Sequence, residues 1–176
     1  MKAMLVQQMQ SYVAETCVGA SAIRNQGGSG LIRAARDYFK SINLAALPRS
    51  EQMLAPWLDE NTEALLSRFP AEARKFGTVR KALNLFVRSA AYNCCLNRAF
   101  SLDDLLPWLE LPLDSYAAKH LLKHDPKIAP KWVGLKSVTK AEHHKYQAAA
   151  LRLAQRWEVN RVDLDVFFYR EEAVGK

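Results

Sequence analysis

Hydrophobic positions recur along this chain at intervals of three and four residues, the spacing that builds one face of a helix. Residues 2–18 place Leu5, Met9, Tyr12 and Val13 on one side. Gly27, Gly28 and Gly30 interrupt, and residues 30–42 resume the period through Leu31, Ala34, Ala35, Tyr38 and Phe39. Pro48 closes that stretch. Residues 50–68 read as one helix or two short ones, with Leu65, Leu66 and Phe69 facing inward, before Pro70 punctuates again. The most apolar segment, 79–96, reads as one helix through Val79, Ala82, Leu83, Phe86 and Val87. Ser101 is placed to cap a short helix whose first turn carries Asp103 and Asp104, where carboxylates suit the positive end of the helix dipole. Pro107 and Pro112 bracket a turn, and Asp114 opens a helix of about 113–123. A loop over 126–134, a long helix over 137–158 and a last helix over 161–171 complete the pattern. The strict alternation of a strand is nearly absent. The expectation is an all-α, compact, two-lobed helical domain spanning 1–176, with no interior linker long enough to separate independent units.

Composition narrows the function classes. Half the residues are hydrophobic (49%) and 24% are charged, a globular balance that argues against disorder. The net charge of +7 draws the protein towards polyanions. That charge is uneven: residues 71–100 carry a net +5, whereas 1–70 and 101–145 carry +1 each and 146–176 carry none. Three cysteines, Cys17 and the adjacent Cys94 and Cys95, make no disulfide framework and no CxxC metal pair. The start, MKAMLVQQMQ, lacks a continuous apolar core, and no run approaches a membrane span. A cytoplasmic protein is expected.

The chemistry-bearing residues lie at the basic segment and beyond it. The run Gly77-Thr78-Val79-Arg80-Lys81-Ala82-Leu83-Asn84 resembles the hairpin and second helix of the helix-hairpin-helix DNA glycosylases, endonuclease III and its relatives. Those enzymes carry a Gly-apolar-Gly-Arg-Lys-Thr-Ala-Asn type of run. Further on, Leu111-Pro112-Leu113-Asp114-Ser115-Tyr116-Ala117-Ala118-Lys119 is similar to their Pro-Val-Asp-Thr-His-Val stretch. The resemblance covers roughly 70–125, with the helix-hairpin-helix element at about 70–95. It implies Lys81 as a lyase lysine and Asp114 as a catalytic aspartate at a helix start. Val79 stands where the family's second hairpin glycine sits. The connection from Lys81 to Asp114 is longer than the typical one, as in the archaeal 8-oxoguanine glycosylase branch.

These residue types suit the reaction. Breaking a glycosidic bond builds positive charge on the sugar, which a nearby carboxylate stabilises. A neutral lysine amine attacks the anomeric carbon and forms a Schiff base, which also opens a route to strand cleavage by β-elimination. The target base must first leave the stack. Arg24, Asn25 and Gln26, ahead of a glycine pair, form a candidate wedge or pocket rim, or simply a turn between helices. Arg74, Lys75, Gly77, Arg80, Arg88 and Lys119 are candidate DNA contacts. Trp57, Trp108, Trp132 and Trp157 serve as core or as stacking platforms. His143 and His144, being adjacent, point to different faces of a helix and do not build a metal site with Glu142. Asp163 suits helix capping and Asp165 is a possible second acid.

The implied activity is excision of a damaged or modified base from double-stranded DNA by a monomer, without metal or cofactor and away from membranes. Three alternatives use the same residues: a defence enzyme that excises a hypermodified base from foreign DNA, a non-catalytic helical DNA-binding module, and a helical protein-interaction domain with an incidental basic stretch.

Overall fold

A computed structural model describes residues 2–19, 22, 23, 26, 30–128 and 131–174. Among them it is all-helical. The helices are α1 (Ala3–Thr16), α2 (Leu31–Ser41), α3 (Glu51–Arg68), α4 (Phe76–Tyr92), α5 (Cys94–Phe100), α6 (Ser115–His124), α7 (Lys140–Trp157) and α8 (Leu164–Val174). Short 3₁₀ turns join several of them. No helix is long and apolar enough to cross a membrane among these residues.

Two hydrophobic cores organise the chain. One gathers α1 to α5 around Val13, Phe39, Leu54, Leu65, Leu83 and Phe86. The other gathers α6, α7 and α8 around Leu113, Leu121, Tyr146, Leu153 and Phe168. Phe39 and Phe86 stack nearly parallel with centroids 4.7 Å apart, which locks α2 against α4. Helix α4 is the axle of the molecule. Every residue from Gly77 to Val87 is buried, so it has no solvent face along that length. A helix covered all round must place its polar residues against partners, and that requirement shapes the site below.

Several boundaries differ from the sequence pattern. The apolar run 79–96 is two helices, because Asn93 ends α4 and caps α5: the backbone N–H groups of Cys95 and Leu96 both donate to Asn93 Oδ1. Residues 51–68 form one helix despite Pro56 within it. Ser101 is not a side-chain cap. It adopts left-handed backbone, and Asn97 Oδ1 accepts from the Asp103 N–H instead. Asp114 does cap α6, and Thr139 with Glu142 forms a capping box on α7.

Gly77 is a correction of a more consequential kind. It lies inside the first turn of α4, beneath the 3₁₀ turn Leu135–Ser137, not in an open hairpin. A Cβ there would stand 2.3 Å from the Leu135 carbonyl oxygen and 2.9 Å from Val138 Cβ. The glycine is needed for close backbone approach. This covered backbone is not free to cradle a phosphate.

Candidate active site

The site is built where α4 of the first core meets the start of α6 from the second. Lys81 projects from α4 and is only 8% exposed. Its Nζ donates to the Ala22 carbonyl oxygen at 2.8 Å and to Asp114 Oδ2 at 3.2 Å. Asp114 divides its carboxylate between two jobs. Oδ1 accepts from the backbone N–H groups of Tyr116 and Ala117 at 3.0 and 2.9 Å, which caps α6. Oδ2 faces the lysine. Capping fixes the side-chain rotamer, so the free oxygen is presented in one direction.

Two residues ahead of α2, Ala22 and Gln26, also contact α4 here. Ala22 supplies the carbonyl on Lys81, and Gln26 Oε1 accepts from Thr78 Oγ1 at 2.9 Å, one helical turn before the lysine. Gln26, a candidate rim residue, is thus brought to the same face of the site. Arg24 and Asn25 lie outside the described residues.

Further along α4, Arg88 pairs with Asp165 of α8 and is half-buried. Burial lowers its pKa, opposed in part by the neighbouring Tyr92 and Cys17 side chains and the Asp114 carboxylate. Cys17 is nearby and its thiol is pushed up to about 12 by burial, which leaves it protonated and unreactive. Asp163 is a capping residue, its Oδ2 accepting from the Asn160 backbone and side chain at 3.0 and 2.9 Å.

The phosphate-contact set contracts. Arg80 is corrected outright: it is 1% exposed and fully engaged inside the protein. Its Nε and Nη2 donate to Glu110 at 2.8 and 2.9 Å, and Nη1 donates to Thr62 Oγ1 at 2.9 Å. Arg74 is exposed but caps the end of α3, with Nε on the Phe69 carbonyl at 2.9 Å. Lys75 and Lys119 are exposed. The tryptophans serve as packing: Trp57 and Trp108 lie against the first core, Trp132 and Trp157 against the second.

The sequence pattern missed the second polar cluster, centred on Glu110. Its carboxylate receives Arg80 bidentately, Asn84 Nδ2 at 2.8 Å and His143 Nε2 at 2.8 Å. Burial alone would raise the Glu110 pKa, but His143 and Arg80 outweigh it and hold the carboxyl well below its usual range. One signal was available: Glu110 is the single charged residue in the apolar run 105–113. His143 is buried in this cluster while His144 is exposed, as their adjacency requires. Among the described residues no group of three or more His, Cys, Asp or Glu side chains is arranged to hold a metal.

No family model, curated protein or solved structure matches this chain. The chemistry of the site therefore rests on its own geometry. That geometry is a nearly buried primary amine and a rotamer-locked carboxylate in direct contact.

Proposed function

We propose that this protein is a DNA glycosylase that excises a damaged or modified base, with Lys81 as the nucleophile and Asp114 as the electrostatic stabiliser. The observation that carries the reading is the 3.2 Å contact between Lys81 Nζ and Asp114 Oδ2. The two residues are 33 positions apart and come from different cores. Their motifs resemble the lysine and aspartate motifs of the helix-hairpin-helix glycosylases in the same order. An amine and a carboxylate held together suit one reaction step well. Once deprotonated, Lys81 Nζ attacks C1′ of a flipped nucleotide, and the C1′–N bond breaks with its electron pair leaving on the base. The departing base takes up a proton. The Asp114 carboxylate stabilises the positive charge that develops on the sugar between those events. Opening of the sugar ring converts the adduct into a Schiff base.

Borohydride trapping tests the reading directly, because reduction of the Schiff base leaves a stable amine link. Duplexes carrying oxidised, alkylated, deaminated or glucosylated bases would be offered in turn. A covalent adduct is expected on one of these classes, and Lys81→Gln is expected to abolish it while DNA binding persists. An adduct that survives Lys81→Gln but vanishes in Lys119→Gln would move the nucleophile to α6. Release of a free base without any adduct would make water the nucleophile. No base release from any duplex would end the enzyme reading. The class of base released separates repair from removal of a hypermodified base in foreign DNA.

A further inference from the structure

Arg80 and Lys81 are neighbours on α4, and both are tethered to the same short stretch of chain. Arg80 grips Glu110 with two parallel N–H···O contacts, 2.8 and 2.9 Å. Lys81 reaches Asp114 four residues later. The stretch between those anchors is itself held. Leu111 gives its N–H to Gln147 Oε1 at 3.0 Å, and its carbonyl accepts from Gln147 Nε2 at 2.7 Å. Just upstream, the Leu109 carbonyl accepts from Arg161 Nε at 3.1 Å. The segment 109–114 is thus a fixed rail alongside α4.

A second side chain of α4 holds the same carboxylate. Asn84 Nδ2 donates to Glu110 Oε2 at 2.8 Å. Asn84 follows Arg80 by four residues, so both lie on one edge of the helix. Two grips one turn apart fix the rotation of α4 about its own axis. Successive residues are separated by about 100° around a helix of 3.6 residues per turn. The rotation that seats Arg80 on Glu110 therefore also determines where Lys81 points.

A buried ion pair is a poor source of stability, because desolvation offsets its attraction and an apolar pair of similar volume often serves as well. A bidentate guanidinium–carboxylate contact does supply direction. We propose that Glu110 is a positioning residue: through Arg80 and Asn84 it sets the rotation of α4 that keeps Lys81 Nζ against Asp114. Its catalytic consequence rests on the reading of Lys81 and Asp114 as the reacting pair. Asp59 and Thr62 also hold Arg80, with Asp59 Oδ1 at 3.0 Å, but they belong to α3, and the other Asp59 oxygen pairs with Lys140 of α7 at 2.7 Å and not with Glu110. They provide the internal control.

Two readouts test this on the full-length protein. The first is the NMR signal of Lys81 in protein carrying ¹³C at the lysine Cε positions, assigned by its loss in Lys81→Gln. The second is the single-turnover rate of borohydride trapping on duplex DNA with an abasic site, whose free aldehyde needs no knowledge of the target base. Glu110→Gln is expected to shift the Lys81 signal and slow trapping by about tenfold to a hundredfold, with DNA affinity unchanged. Asp59→Asn is expected to leave both readouts as in the wild type. Should Glu110→Gln fold poorly, Arg80→Met combined with Glu110→Gln removes both charges of the pair and is expected to show the same slowing and the same displaced signal. An unchanged Lys81 signal with unchanged trapping in these variants would overturn the proposal, as would an equal disturbance in Asp59→Asn. A wild type that traps no abasic DNA, with a Lys81 signal that still responds to Glu110→Gln, would remove Lys81 as the nucleophile and leave the positioning role standing.

Discussion

The two oxygens of the Asp114 carboxylate have different partners and, on the proposed reading, different roles. Oδ1 closes the first turn of α6, and Oδ2 meets Lys81. The two roles separate by substitution. Asp114→Asn retains an oxygen for the cap and loses the charge. Excision is expected to fall by about two orders of magnitude or more, with a smaller loss of Tm than truncation of the whole side chain causes. Both variants strip the buried Lys81 of its carboxylate partner, but Asp114→Ala loses the cap as well, at about 1 kcal/mol. Its Tm is expected to fall clearly below that of Asp114→Asn. Equal activity in Asp114→Asn and the wild type would reduce Asp114 to a cap. Glu110 gives a residue-scale prediction in pH. Its carboxyl titrates lower in the folded state than the ordinary 4.5, so it contributes stability that is full above that pH. The contribution is lost as pH falls from there towards the folded value. Thermal melts across acid pH are expected to show Glu110→Gln below the wild type at neutrality, with the gap narrowing on acidification. A gap independent of pH would contradict the direction of that shift.

At the scale of elements, α4 concentrates what the sequence revealed and what it hid. Its existence was legible, because the apolar period through Val79, Leu83, Phe86 and Val87 is a property of the helix itself. Its end was not. Asn93 sits within the same apolar run, and its role appears only when its side chain is seen to receive two N–H groups of the next helix. Gly77 was visible as a glycine but assigned to the wrong cause, since the Leu135 carbonyl that requires it comes from 58 residues away. The same holds for Arg80: beside Lys81 in a basic segment it reads as a surface cation, and only the tertiary fold reveals Glu110 opposite it. Lys81 and Asp114 were singled out by the order of two short motifs; their contact was not readable from either motif. Gly77→Ala tests the close approach. Its methyl group meets a backbone oxygen, which yields less readily than a side chain, so α4 and the turn Leu135–Ser137 must separate. A loss of about 1–3 kcal/mol is expected in urea denaturation. A variant as stable as the wild type would show that the turn adjusts freely.

At the scale of the whole molecule, half of the basic side chains that drew attention to residues 71–100 are paired within the protein. Of the six basic residues there, Arg80 faces Glu110, Lys81 faces Asp114 and Arg88 faces Asp165. Arg74, Lys75 and Arg98 are left at the exposed surface. A count of basic residues therefore overstates the number of phosphates this segment is free to meet on the proposed reading. Counterion release makes the slope of binding against salt a measure of that number, about −0.9 per phosphate on duplex DNA. Lys75→Gln and Lys119→Gln are each expected to make the slope shallower by about 0.9 if that side chain meets a phosphate, with folding unaffected. Arg80→Gln is expected to behave in the opposite way. It leaves Glu110 without its guanidinium partner, so Tm falls by several degrees or more, yet the slope measured on the folded fraction stays as in the wild type. Titrations at a series of salt concentrations, paired with thermal melts of the same samples, separate these behaviours. A shallower slope in Arg80→Gln would place that arginine on the DNA, against its burial. A flat response in the wild type would remove nucleic acid as the partner, and with it the substrate on which Lys81 and Asp114 are proposed to act.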